Sequence, residues 1–204
     1  EQNLALAFTA RDKWSDVTGP SWQLPAWGQW VRAKPGRKLV YGISLLPGPT
    51  NGSGPDRVLG NSDDVSLQKC SNGQYDTQWS TLANNLVSNG LRGTILRLGW
   101  EFNGNRFAWG AAGKEAQFAG CFRRVVSAMR AAQPNAGFKF DWNPTEDIVW
   151  WTSTQINAAW PGDTFVDYVG VDAYDASWVA NSYPYPSSCN AACRLARQTT
   201  AWND

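Results

Sequence analysis

The stretch "GTILRLGWEFNGNRFAWG", residues 93–110, begins as a strand-like alternation and ends in a loop of aromatics, glycines and asparagines. One acid, Glu101, falls at the junction, as the last residue of the strand or the first of the loop. Catalytic side chains are often carried at such junctions. The chain has four glutamates and no histidine, so an acid set among aromatic rings asks for a reason. Within the strand, Arg97, Gly99 and Glu101 share one parity, while Leu96, Leu98 and Trp100 share the other.

Working outward, four further segments read as strands: "LALAFTA" (4–10), "KLVYGISLL" (38–46), "GFKFDWN" (137–143) and "FVDYVGVDAY" (165–174). Helical spacing fills the intervals. Asp76 reads as the cap of a helix carrying Trp79, Leu82, Leu86 and Val87, stopped by Asn89-Gly90. A second helix is expected from about Lys114 to Ala132, with Phe118, Cys121, Phe122, Val125 and Met129 aligned and Pro134 just beyond. Shorter helices are expected around Trp27, Trp30 and Val31, and between Ile148 and Trp160. Strands alternating with helices imply right-handed crossovers and a parallel sheet.

An open doubly wound sheet has helices on both faces, so its strands are apolar throughout. Here one parity is apolar: Leu4, Leu6 and Phe8; Leu96, Leu98 and Trp100; Phe138, Phe140 and Trp142; Val169 and Val171. The other turns from small to polar along each strand: Ala5, Ala7, Thr9 and Arg11; Gly42 and Ser44; Arg97, Gly99 and Glu101; Lys139, Asp141 and Asn143; Gly170, Asp172 and Tyr174. That gradient fits a barrel interior with a site at its C-terminal rim. A complete (β/α)8 TIM barrel takes about 250 residues, whereas this chain has 204 and shows five strands. The expectation is therefore an α/β fold, a partial TIM barrel holding the second to sixth of eight strands. Residues 1–204 are read as one catalytic-barrel domain, short at both ends, with the remaining part of the same barrel as a partner.

Composition narrows the function classes. Eighteen basic and 17 acidic side chains give no reason to invoke nucleic acid, an anionic membrane or a strongly charged partner. No run approaches the roughly 18 apolar residues of a membrane span, and no signal peptide is present, so the chain reads as a mature form or an excised piece. Thirteen tryptophans are the outlier; more than half are expected to be packing, the rest to suit the apolar faces of sugars. No glycine-rich fingerprint or metal-ligand spacing occurs, so neither cofactor nor metal is expected. Four cysteines without flanking histidines point to disulfides and an oxidising, extracellular setting. Three connectivities are possible, and the expected one joins Cys189 with Cys193 and Cys70 with Cys121. Asn51-Gly-Ser53 is a glycosylation sequon.

"RLGWEFNGNRFAWG" (97–110) resembles the fourth-strand motif of glycoside hydrolase family 26, an arginine followed by His-Glu, Met-Asn-Gly and tryptophans. "VDYVGVDAYD" (166–175) is similar to that family's sixth-strand motif, and the resemblance runs in register over roughly residues 4–178. It implies that Glu101 is the general acid/base, that Arg97 and Asn103 shape the site, that Trp109 lines a sugar subsite, and that Tyr174 sits close to the nucleophile. Two positions depart from the pattern: Trp100 stands where a histidine is usual, and Arg106 where a tryptophan often follows. The nucleophile it implies is a glutamate ending the seventh strand, beyond Asp204 by this count. The implied activity is retaining, endo-acting hydrolysis of a β-linked polysaccharide, foremost β-1,4-mannan. β-1,3-1,4-Glucan, β-1,3-xylan and a non-catalytic carbohydrate-binding barrel are the alternatives.

The chemistry sets its own demands. Glycoside hydrolysis needs two carboxyl groups, about 5 to 5.5 Å apart for retention and roughly 6.5 to 9.5 Å for inversion. Trp100 and Phe102 would disfavour the charged form of Glu101, while Arg97 would favour it. Glu1, Glu115 and Glu146 do not fit the nucleophile's position. Asp141 points inward by parity and is expected to pair with Lys139 or Arg97, although an inverting pair with Glu101 is also open. Asp172 is expected to orient its neighbours or bind sugar hydroxyls. Trp100 and Trp142 are further substrate-contacting candidates, with Trp14, Trp150, Trp151 and Trp178 behind them.

Overall fold

A computed structural model describes residues 3–173 and 187–203. They fall into two compact units, Glu1–Val171 and Asp172–Asp204.

The first unit is built on a parallel five-stranded sheet: β1 (Leu4–Phe8), β2 (Lys38–Ile43), β3 (Ile95–Leu98), β4 (Lys139–Trp142) and β5 (Tyr168–Val169), ordered in space as in sequence. Each crossover carries helix: α1 (Trp14–Val17) and α2 (Leu24–Arg32), then α3 (Leu67–Ser71) and α4 (Asp76–Ser88), then α5 (Glu115–Ala132), then α6 (Ser153–Ala159). Sequential parallel pairing with a helix in every crossover is the repeat of a (β/α)8 barrel, and the chain forms part of one.

Cross-strand register identifies the two faces of the sheet. Tyr41 pairs with Leu96, Ile43 with Leu98 and Leu96 with Phe140, and all five are fully buried beneath the helices. On the opposite, inner face Gly42 pairs with Arg97 and Arg97 with Asp141. The first strand runs opposite to the expected phase. Ala5 and Ala7 pair with Leu39 and Tyr41 on the helix side, whereas Leu4, Leu6 and Phe8 line up with Lys38, Val40 and Gly42 on the inner face. Space explains the arrangement: the Phe8 ring fills the gap over Gly42, where an added Cβ would lie 2.2 Å from its Cδ1. Leu4, Leu6 and Phe8 are 54%, 49% and 39% exposed.

Helix α5 forms where the apolar residues recur at helical spacing, and it buries Phe118, Cys121, Phe122, Val125 and Met129. Helix α4 begins at Asp76, but Tyr75 holds the cap position, and the Asp76 carboxylate is taken up by Arg124 of α5. Helix α6 is opened by a reciprocal capping box between Thr152 and Gln155.

A disulfide between Cys70 and Cys121 ties α3 to α5, with Cα atoms 4.9 Å apart across 51 residues of sequence. Closing a loop of that length removes denatured-state entropy worth roughly 4 kcal/mol. The double substitution Cys70→Ala/Cys121→Ala is expected to destabilise the chain by up to that amount, read as a lowered midpoint of chemical unfolding; an unchanged midpoint would show that the bridge contributes nothing. In the second unit, Cys189 is joined to Cys193 in the first turn of α7 (Ala191–Asn203).

Candidate active site

Strand β3 ends at Leu98, and the alternation expected to carry through to Glu101 stops there. Gly99 has φ +58°, and a Cβ on it would point into Leu45 and Phe118 on the helix side rather than inward. The reversal carries Trp100 the other way: its ring packs against inner-face Phe8 at 4.9 Å, Phe107 at 5.3 Å and Trp109 at 4.7 Å. Glu101 follows in a left-handed backbone conformation, φ +53°, shared among the described non-glycine residues with Arg57 alone. That conformation costs a residue with a Cβ about 1–2 kcal/mol.

Long-range bonds hold the strained loop. The Glu101 amide donates to the Asn143 carbonyl at 2.8 Å, and the Gly104 amide donates back to the Glu101 carbonyl at 3.0 Å. Asn103 clamps the loop to the one after β4, donating through Nδ2 to the Thr145 carbonyl at 3.2 Å and accepting the Thr145 amide at 2.8 Å. Trp109 donates its indole N–H to the Trp100 carbonyl at 2.9 Å. Glu101 is left 8% exposed, its position over-determined by two loops. Strain maintained in this way is a mark of functional sites.

On the inner face, Arg97 Nε donates to Asp141 Oδ2 at 2.9 Å, with side chains 16% and 5% exposed. Of the two expected partners for Asp141, Arg97 is the one that meets it. Lys139 instead donates to Asp167 at 2.9 Å, and that bond raises the lysine's pKa. The absent side chain of Gly170 makes room for this cluster: a Cβ there would lie 2.8 Å from both Asp141 Oδ1 and Asn143 Nδ2.

Two of the expected sugar-contacting aromatics are buried. Trp109 has no exposed surface, being stacked on Phe107 at 4.6 Å. Trp142 is 5% exposed, packs on Phe102 and Trp160, and donates to the Ala159 carbonyl. Both rings belong to the hydrophobic core cluster, whereas stacking on a sugar needs a free ring face. Trp14 likewise packs on Tyr75 and Trp79. In the 3-10 turn Glu146–Trp150 that follows β4, Trp150 is 82% exposed, while the adjacent Trp151 packs edge-on to Phe102. Asp172 opens the second unit. Tyr174 and Trp178 lie outside the described residues. No group of His, Cys, Asp or Glu among the described residues is arranged to hold a metal ion.

The model of glycosyl hydrolase family 26 matches residues 55–201, well over half of the chain and including the whole Glu101 loop. The chain belongs to glycosyl hydrolase family 26. No curated protein sequence matches it significantly. Among solved structures, GH26C from a Muricauda species is similar at 16% identity and TM-score 0.60, over 85% of this chain and 51% of that one. A modular endo-β-1,4-mannanase from Cellulomonas fimi is similar at 17% identity and TM-score 0.58, over 85% and 41%. The β-mannanase of a symbiotic protist of the termite Reticulitermes speratus, complexed with gluco-manno-oligosaccharide, gives 13% identity and TM-score 0.53, over 83% and 54%. The chain thus spans about half the length of these structures, or less, and shares their fold.

For this family 26 chain, sequence reasoning missed the residues that position Glu101. Asn143 and Thr145 act through main-chain atoms about 42 residues away, as in the 42-residue separation of the Asn103 clamp. Their only local signal was the turn-like "NPT" (143–145) at the end of a strand.

Proposed function

We propose that this chain carries the acid/base half of a secreted, retaining, endo-acting glycoside hydrolase, with β-1,4-mannan as its foremost substrate. The observation that carries the reading is Glu101, a buried acid held in strained backbone just beyond a barrel strand, inside the region that matches the family. In this reading Glu101 protonates the departing glycosidic oxygen and then, as carboxylate, takes a proton from the incoming water. Asn103 and the Arg97–Asp141 pair fix the geometry around it. Asp141, engaged by a guanidinium, is better suited to that supporting role than to attack at an anomeric carbon. The attacking carboxylate is assigned to a glutamate outside this chain. Substrate preference rests on the β-mannanases among the structural neighbours. Secretion is supported by the pairing of all four cysteines.

Proton NMR of the first-formed products, made by the complete protein that also supplies the nucleophile, tests the reading on three polymers: β-1,4-mannan, β-1,3-1,4-glucan and β-1,3-xylan. Cleavage of the mannan with the β-anomer appearing first is the expected result. An α-anomer first would overturn retention, cleavage of another polymer in preference would overturn the substrate, and binding without turnover would overturn the enzyme.

A further inference from the structure

A second feature lies at the same end of the sheet as Glu101 and is not used by the chemistry. The loops leaving β1, β2 and β3 at their C-terminal ends enclose an open cleft of about 280 Å³, lined by Arg11, Asp12, Gly48, Pro49, Arg57 and Arg106. Three guanidiniums and one carboxylate face it, a net charge of about +2 in a chain whose total is +1. Each arginine is differently held. Arg11 lies over the Phe107 ring at 4.8 Å, and that ring packs on Trp100, next to Glu101 in the chain. Arg57 reaches Asp12 at 3.2 Å from a left-handed backbone of φ +65°. Arg106 is exposed and makes no hydrogen bond or ion pair among the described residues.

The loop that carries Arg57 is built to keep its own acids occupied. Asp56 accepts the Val58 amide at 2.8 Å and the Asn61 side chain at 2.6 Å, and Asp63 accepts the Asp56 amide at 3.1 Å. The Gly48 amide donates to the Arg11 carbonyl at 2.7 Å, which joins the loops after β1 and β2. The cleft's lining therefore carries a surplus of positive charge, and Arg57, the one described non-glycine residue besides Glu101 with a left-handed backbone, is one of its arginines. Backbone strain at an exposed, charged side chain is unfavourable unless it aims that side chain at something.

The geometry points to a subsite for an anionic substituent on the sugar chain, a carboxylate or a sulfate ester, contacted by Arg57 and Arg106 with Arg11 fixed behind them. Planar guanidinium forks suit both oxyanions. The inference rests on the glycoside hydrolase reading, since Phe107 and Trp100 link the cleft to the Glu101 loop.

Calorimetric titration of the full chain with three β-linked oligosaccharides of one backbone tests it: unsubstituted, carrying a uronic acid, and carrying a sulfate ester. One or both anionic ligands are expected to bind about tenfold tighter than the neutral one at low salt, the advantage shrinking as salt is raised. Whichever is preferred names the source. In Arg57→Asn/Arg106→Gln the ratio is expected to fall to about one; asparagine tolerates the left-handed backbone, and both positions are exposed. Equal binding of all three ligands by the unaltered chain would overturn the subsite while leaving the hydrolase reading intact. A tenfold preference surviving the double substitution would also overturn it. Binding of none would overturn the subsite, and mannan cleavage by the complete protein that also supplies the nucleophile would show that the hydrolase reading stands.

Discussion

In the complete protein that also supplies the nucleophile, Glu101→Gln is expected to lower kcat/KM on unactivated polysaccharide by about 10²–10⁴-fold, the usual contribution of a positioned general acid/base. The substitution isolates that role. Glutamine has the same size and the same tolerance of φ +53°, and the bonds from the Glu101 amide to Asn143 and from Gly104 to the Glu101 carbonyl belong to the main chain. Folding stability should therefore change little, which an unfolding curve checks in parallel. A variant that folds normally and still cleaves polysaccharide at the original rate would remove Glu101 from the mechanism.

The second large effect is expected at Arg97. Arg97→Leu takes away the guanidinium 2.9 Å from a carboxylate whose side chain is 5% exposed. Removing one member of a buried ion pair costs about 3–5 kcal/mol, because the remaining charge has lost water as well as its partner. The measurement is the midpoint of chemical unfolding. Exposure sets the scale by contrast: Arg57 and Asp12 also pair, at 3.2 Å, but their side chains are 69% and 75% exposed. Breaking that pair is expected to cost about 1 kcal/mol or less. If the two substitutions destabilised equally, burial would not be what makes the Arg97–Asp141 pair strong. Asp141→Asn offers the complementary case, keeping an acceptor for Arg97 while deleting the charge.

Much of the barrel was legible because hydrophobic period and turn chemistry agree in it. Helices α4 and α5 show their buried faces at helical spacing, and all five strands stand between recognisable stops. The phase of β1 was not legible. Leu4, Leu6 and Phe8 alternate with Ala5 and Ala7, so both parities are apolar, and only pairing with β2 decides which set faces inward. Nor was the reversal at Gly99 legible: a glycine near the end of a strand fits continued alternation as well as a left-handed break.

At the site, residue identity ran ahead of geometry. The Arg97–Asp141 contact followed from shared parity on neighbouring strands, since register brings those two positions opposite one another. The tryptophans defied the same treatment. A ring that stacks on a sugar and a ring that fills a core are the same residue in sequence, and only burial separates Trp109 from Trp150. Asn103 was assigned to the site, but its clamp on Thr145 spans 42 residues, beyond anything local pattern reveals.

The central claim is that Glu101 gives a proton to the leaving group, and leaving-group dependence tests it most directly. kcat/KM is measured for the complete protein, with and without Glu101→Gln, on the polysaccharide and on a dinitrophenyl β-glycoside, whose leaving group departs without protonation. The expected result is a loss of about 10²-fold or more on the polysaccharide and little loss on the activated glycoside. An equal loss on both substrates would contradict the claim, because a residue that donates no proton would then be supplying the whole effect.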